Sequence, residues 1–70
     1  MIAKNDDNLR RSLGQKLKLA REKAGLTQAQ VANKAGIHVN YYARIERGEE
    51  NPTYEKLAPI MKVLGIKALI

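Results

Sequence analysis

Seventy residues are enough for one domain with a modest core, so the chain needs an economical helical architecture or a partner. It contains no Cys and a single His, which excludes disulfides, thiolate metal sites and histidine clusters and fits a reducing cytoplasm as its expected location. Thirteen Lys and Arg against seven Asp and Glu give a net charge of +6, which on so small a body favours a polyanionic partner.

Residues 1–8 hold three charges, two Asn and little to bury. They are too polar for a signal peptide and read as a flexible arm, with Asp7 or Asn8 capping the first helix. Residues 9–70 are left as a single domain. No apolar run in them approaches the roughly 18 to 20 residues that span a bilayer, so no membrane partner is expected.

Leu9, Leu13, Leu17, Ala20 and Ala24 recur at three- and four-residue spacing, one stripe of a helix over about 9–24 that Gly25 stops. Six cations against Glu22 leave this segment with a charge of +5. That is most of the excess, and it is as readily a solvated helix face as a binding surface. Gly14 inside the stripe costs about 1 kcal/mol against Ala, so it marks either close packing or a later helix start.

Thr27 with Gln30 three residues on forms a capping box, opening a second helix over about 28–34 with Val31, Ala32 and Ala35 on its buried side. Gly36 ends it by taking the left-handed conformation that other residues adopt only at a cost. A third helix spans about 39–47, and Gly48 ends it likewise. After the polar loop 49–52, Thr53 caps a fourth helix over about 54–64 with Leu57, Ala58, Ile60, Met61 and Leu64 inward and Gly65 closing it. Pro59 removes a bond to the Glu55 carbonyl and predicts a kink there. The whole is an all-α compact bundle of four to five short helices containing a helix-turn-helix, an arrangement suited to pushing one helix into a DNA groove.

The third helix sorts by angle. At 100° per residue Asn40, Ala43, Arg44 and Arg47 share one face, while Tyr42 and Ile45 share the opposite one. Arg bridges guanine O6 and N7, Asn bridges adenine N6 and N7, and small Ala allows close approach and touches a thymine methyl. Any one of these side chains alone is ordinary helix surface; their conjunction points to groove reading. Val39 at the exposed start of this helix reads as a methyl contact or a dimer contact.

The stretches LAREKAGLTQAQVANKAGI and ARIERGEENPT closely resemble the phage-repressor and Cro type of helix-turn-helix protein, the xenobiotic-response-element family, over about residues 14–65. The motif fixes RExxGLTQ, a small Ala, the turn Gly36 and IERG at set distances. The resemblance implies a lambda-repressor-like DNA-binding domain, with Val39, Asn40, Ala43 and Arg44 at base-reading positions. Gln28 is expected to contact a phosphate and brace the third helix, and Tyr41, Arg47, Asn51 and Thr53 are expected beside the DNA backbone, Thr53 at a helix terminus that welcomes phosphate. Arg21 and Glu46 occupy positions that the family joins in a largely buried salt bridge, a structural role.

The sequence departs from that pattern in four places. His38 stands where a capping Ser or Thr is usual. Tyr42 replaces an aliphatic residue, and its ring fits only if the hydroxyl reaches solvent or a partner. Glu50 adds negative charge to a loop expected near phosphate, which argues against direct contact there. The fifth helix that often helps form a dimer has no counterpart before Ile70. Leu64, Ile66, Leu69 and Ile70 are then either a dimer contact or a tail folded over its own core.

His38 has no carboxylate or thiol partner nearby in sequence, and there is no glycine-rich phosphate loop or metal-ligand spacing, so neither an enzyme, a cofactor, a metal nor a small-molecule ligand is expected. The expected function is sequence-specific binding of double-stranded DNA by a homodimer on an inverted-repeat operator, acting as a transcriptional repressor. The alternative is a protein-interaction module, an antitoxin or a transcriptional adaptor, with a toxin or the transcription machinery as partner.

Overall fold

Among the described residues, four left-handed glycines punctuate four helices: α1 (Ile2–Lys23), α2 (Gln28–Ala35), α3 (Val39–Glu46) and α4 (Tyr54–Leu64). The computed structural model describes the backbone of residues 2–67 and the side chains of 7–67. Each helix closes in the same way, with the residue after the glycine donating back to the carbonyl five positions earlier. The bonds are Leu26 to Arg21 (3.1 Å), Ile37 to Ala32 (3.0 Å), Glu49 to Arg44 (2.9 Å) and Ile66 to Met61 (2.9 Å).

The starts of α2, α3 and α4 are capped by side chains. Thr27 accepts from the Gln30 amide (3.0 Å) while the Gln30 side chain accepts from the Thr27 amide (2.8 Å), the reciprocal box expected from the sequence. Thr53 caps α4 by accepting from the Lys56 amide at 3.4 Å. At α3 the imidazole of His38 takes the place of a hydroxyl, its Nδ1 accepting from the Asn40 amide at 3.2 Å.

The first helix reaches back to Ile2 instead of beginning near Leu9, so the backbone of residues 2–8, read as a flexible arm, is helical. Once the stripe from Leu13 onward has nucleated a helix, each added residue costs little, and an ion pair between Asp7 and Arg10 ties the added turns to the rest. Leu9, expected inward, is 63% exposed. It lies about a turn and a half before Gly14, where α1 packs on the backbone of α3.

The core is Leu17, Val31, Ala32, Tyr42, Ile45 and Ile60, at most 1% exposed each, with Leu13, Leu26, Ala35, Ile37, Leu57 and Val63 packed around them. All four helices contribute, and α2 and α3 are both clamped from outside, α2 by α4 and α3 by α1. Pro59 does not break α4, which continues as one helix and buries Ile60 immediately afterwards. Leu64 and Ile66 are partly buried against this same core. Leu69 and Ile70 lie outside the described residues.

One contact sets the angle between α1 and α3. A Cβ built on Gly14 would stand 2.4 Å from the Glu46 carbonyl oxygen and 2.5 Å from that of Ile45. Gly14 therefore marks close packing of α1 on the C-terminal turn of α3, the first of the two readings its position allowed. Three residues earlier on the same face, Arg11 meets Gly48, where a Cβ would lie 3.1 Å from the Arg11 Cα. With φ at +78° Gly48 is left-handed as well, so it is held by both backbone and space.

Candidate nucleic-acid interface

Gly36, left-handed at φ +73°, turns the chain between α2 and α3 and lets the two short helices share the core through Val31, Ala32, Tyr42 and Ile45. With that face of α3 buried, the other is fixed outward. Asn40, Arg44 and Arg47 are exposed, Ala43 is half-buried among them, and Val39 at the first turn is 36% exposed. Four of these side chains belong to the eight-residue helix and Arg47 is its C-cap.

Beneath that surface lies a polar clamp. Glu46, 8% exposed, accepts from Arg21 Nε at 2.7 Å, Arg21 Nη2 at 3.2 Å and Gln28 Nε2 at 2.9 Å, while Arg21 Nη1 donates to the Leu26 carbonyl at 2.9 Å. One carboxylate therefore joins α1, the first turn of α2 and the last turn of α3. Burial by itself raises the Glu46 carboxyl, but Arg21 first, then the nearby Tyr42 hydroxyl and Gln28, outweigh it and hold the group below the usual carboxylate range. The bond to Glu46 raises Arg21 in turn. Gln28 braces α3 through this clamp, which engages the amide that the resemblance assigns to phosphate.

The Tyr42 ring, 0% exposed, fills the space between the helices, and its hydroxyl is buried without a hydrogen bond of normal geometry. Burial, with Glu46 close by, pushes the phenol well above its ordinary range. The hydroxyl thus reaches neither solvent nor a well-made partner. Because an unpaired buried hydroxyl is itself costly, Tyr42→Phe is expected to be neutral or stabilising by up to about 1 kcal/mol. Urea unfolding measures this, and a loss of more than about 1 kcal/mol would mean that the hydroxyl supports the clamp.

The two outward arginines of α3 each meet a carboxylate from the loop between α3 and α4. Arg44 Nε donates to Glu50 Oε2 at 3.1 Å. Arg47 donates to Glu49 through both Nε (3.0 Å) and Nη2 (3.1 Å), which raises Arg47 and lowers Glu49 from their ordinary values. The negative charge anticipated in this loop is therefore spent on α3 itself. Periodicity could not have found these partners, because they depend on the chain reversing at Gly48 and hydrogen-bonding the Glu49 amide to the Arg44 carbonyl.

The other residues expected at DNA phosphates are more dispersed. Asn51 and Thr53 are exposed, and the Thr53 oxygen caps α4. Tyr41 is half-buried against the core and lines a shallow depression with Gly36, Ile37, His38 and Lys56. No described helix is long and apolar enough to cross a membrane.

A family model described as helix-turn-helix matches residues 17–69. Over 56 residues the chain is 39% identical to the immunity repressor protein of Bacillus phage phi105, covering 80% of this chain and 39% of that protein. It is 35% identical over 60 residues to an uncharacterized HTH-type transcriptional regulator of Haemophilus influenzae, covering 86% and 61% respectively. With control protein C.BamHI of Bacillus amyloliquefaciens it shares 32% over 62 residues, covering 87% and 76%. The chain thus spans less than two thirds of the length of the first two relatives.

Proposed function

The chain belongs to this helix-turn-helix family, and from that membership and the exposed face of α3 we propose that it is a sequence-specific double-stranded DNA-binding regulator of transcription. It acts as a repressor, as a homodimer on an inverted-repeat operator, with α3 in the major groove. The observation that carries the reading is a rigidly held helix whose free face carries Val39, Asn40, Ala43 and Arg44. Asn and Arg supply the bidentate hydrogen bonds that distinguish adenine and guanine, and Val39 and Ala43 supply methyl contacts. Gln28, Tyr41, Arg47, Asn51 and Thr53 are the candidate phosphate contacts, which would orient the protein without reading sequence, Gln28 through whatever its bond to Glu46 leaves free. The relatives support the regulatory role, two of them by the words repressor and control protein in their names.

Selection of bound duplexes from a random library at about 150 mM ionic strength tests this directly. The expected product is an inverted repeat whose half-sites lie about 34 Å apart, one turn of DNA. Failure of folded protein to enrich any sequence would overturn the DNA reading. On the selected site, Arg44→Ala and Asn40→Ala are each expected to relax preference at one base-pair position by about 1–3 kcal/mol in competition binding. Equal discrimination by wild type and Arg44→Ala would remove Arg44 from the base-reading set.

A further inference from the structure

Arg44 and Arg47 lie on the same face of α3 and each pairs with a loop glutamate, but the two pairings differ in kind. Glu49 grips Arg47 along its side edge, taking Nε and Nη2 together. Glu50 takes Arg44 at Nε alone, through Oε2. Among the described residues nothing else bonds the Arg44 guanidinium, so both of its terminal nitrogens remain available as donors. A guanine offers O6 and N7 side by side, and the two terminal nitrogens of an arginine meet them end-on without any help from Nε. Glu50 therefore occupies the one donor that such a contact does not use.

We propose that Glu50 is a positioning residue that sets base specificity by bracing Arg44 at Nε, so that its terminal edge is presented to a guanine. This rests on the reading of α3 as the groove-reading helix. A free arginine loses much rotamer freedom when it is fixed in a groove, and a partner already holding it lowers that loss only for a base that accepts end-on. The brace is itself positioned by backbone. Gly48, left-handed and pressed against Arg11, reverses the chain, and the Glu49 amide bonds the Arg44 carbonyl, which brings position 50 back beside position 44. The carboxylate is one-third exposed and Arg44 nearly half exposed, so the pair sits at the surface that would meet DNA rather than beneath it. A carboxylate there repels phosphate, and so Glu50 trades general affinity for discrimination.

The test uses the full chain and the duplex selected by wild type, with each base substituted at the position that Arg44→Ala relaxes. Glu50→Gln and Glu50→Ala are expected to lower the preference for guanine there at least threefold while raising affinity for unrelated duplex DNA. Glu49→Gln, which removes an equal charge one residue away, is expected to raise non-specific affinity and leave the guanine preference unchanged. Thermal melting of each variant confirms that all are folded. Unchanged guanine preference in both Glu50 variants overturns the proposal, as does an equal fall in Glu49→Gln, which would make the effect one of net charge. If Arg44→Ala relaxes no position although wild type selects a site, the base-reading assignment of Arg44 fails first and the bracing role fails with it.

Discussion

Glu46→Gln is expected to lose about 3–5 kcal/mol of unfolding free energy, enough to unfold much of a domain whose total stability is about 5 kcal/mol. The carboxylate is the single acceptor for two nitrogens of Arg21 and for Gln28, and its side chain is 3% exposed while that of Arg21 is 13% exposed. A neutral amide leaves the guanidinium in low-dielectric surroundings without its counterion. The desolvation that the pair has already undergone is then uncompensated, and this explains why removing one partner costs far more than the pair contributes net. The double variant Arg21→Met with Glu46→Leu is therefore expected to recover part of the loss, since neither charge remains to be desolvated. Acid supplies an independent check. The Glu46 carboxyl is held below its ordinary value of 4.5 in the folded state, so its contribution is complete above that value and lost as pH falls through the folded one. The gap between wild type and Glu46→Gln, measured by urea unfolding, should be widest near neutrality and narrow below about pH 4.5. A gap independent of pH would mean that the charge of Glu46 is not what holds α1 to α3. Loss of DNA binding in these variants would report unfolding and not a lost contact.

The helices were legible because their ends are written in local chemistry. Thr27 with Gln30, Thr53, Gly36 and Gly65 each act within a few residues, and the ends of α2, α3 and α4 fall within one residue of where those signals put them. The start of α1 was not, because Asp7 and Asn8, which read as a cap, lie inside a helix that extends back to Ile2. Leu9 and Val63 show the limit of periodicity: it gives the angle of a side chain about its own helix, not whether a neighbour covers that angle. Leu9, on the inward stripe by angle, stays 63% exposed, while Val63 packs against the core. The outward face of α3 was legible for the same reason that its buried face was. Its charged surroundings were not, since Glu49 and Glu50 reach Arg47 and Arg44 only through the reversal at Gly48, and Gln28 reaches Glu46 across 18 residues.

Gly14→Ala is expected to destabilise the domain even though the same substitution in an exposed helix interior stabilises it by about 1 kcal/mol. The sign turns on what the new methyl meets. Its position 2.4 Å and 2.5 Å from the Glu46 and Ile45 carbonyl oxygens is far inside ordinary contact, and those atoms are backbone, so no side chain can rotate away. Relief requires α1 and α3 to separate by on the order of 1 Å, since carbon contacts are optimal near 3.5–4.0 Å. That shift would be felt one turn along at Leu17, which is fully buried, and two turns along at the Arg21 bonds to Glu46, whose lengths leave little slack. Overpacking of this kind costs about 1–3 kcal/mol and more when the backbone must move, which exceeds the propensity gain. Net of the propensity gain, the expected loss is up to about 2 kcal/mol for Ala, larger for Val. Gln15→Ala, exposed and adjacent, should stay within about 0.5 kcal/mol of wild type. A Gly14→Ala protein as stable as Gln15→Ala in urea would show that α1 does not lie on α3 at this distance. Because α3 is held in place from its inner side by this contact and the Glu46 clamp, the same variant is also expected to weaken selection of the operator without touching a residue on the outward face. That separates what holds α3 in place from the outward residues proposed to read bases.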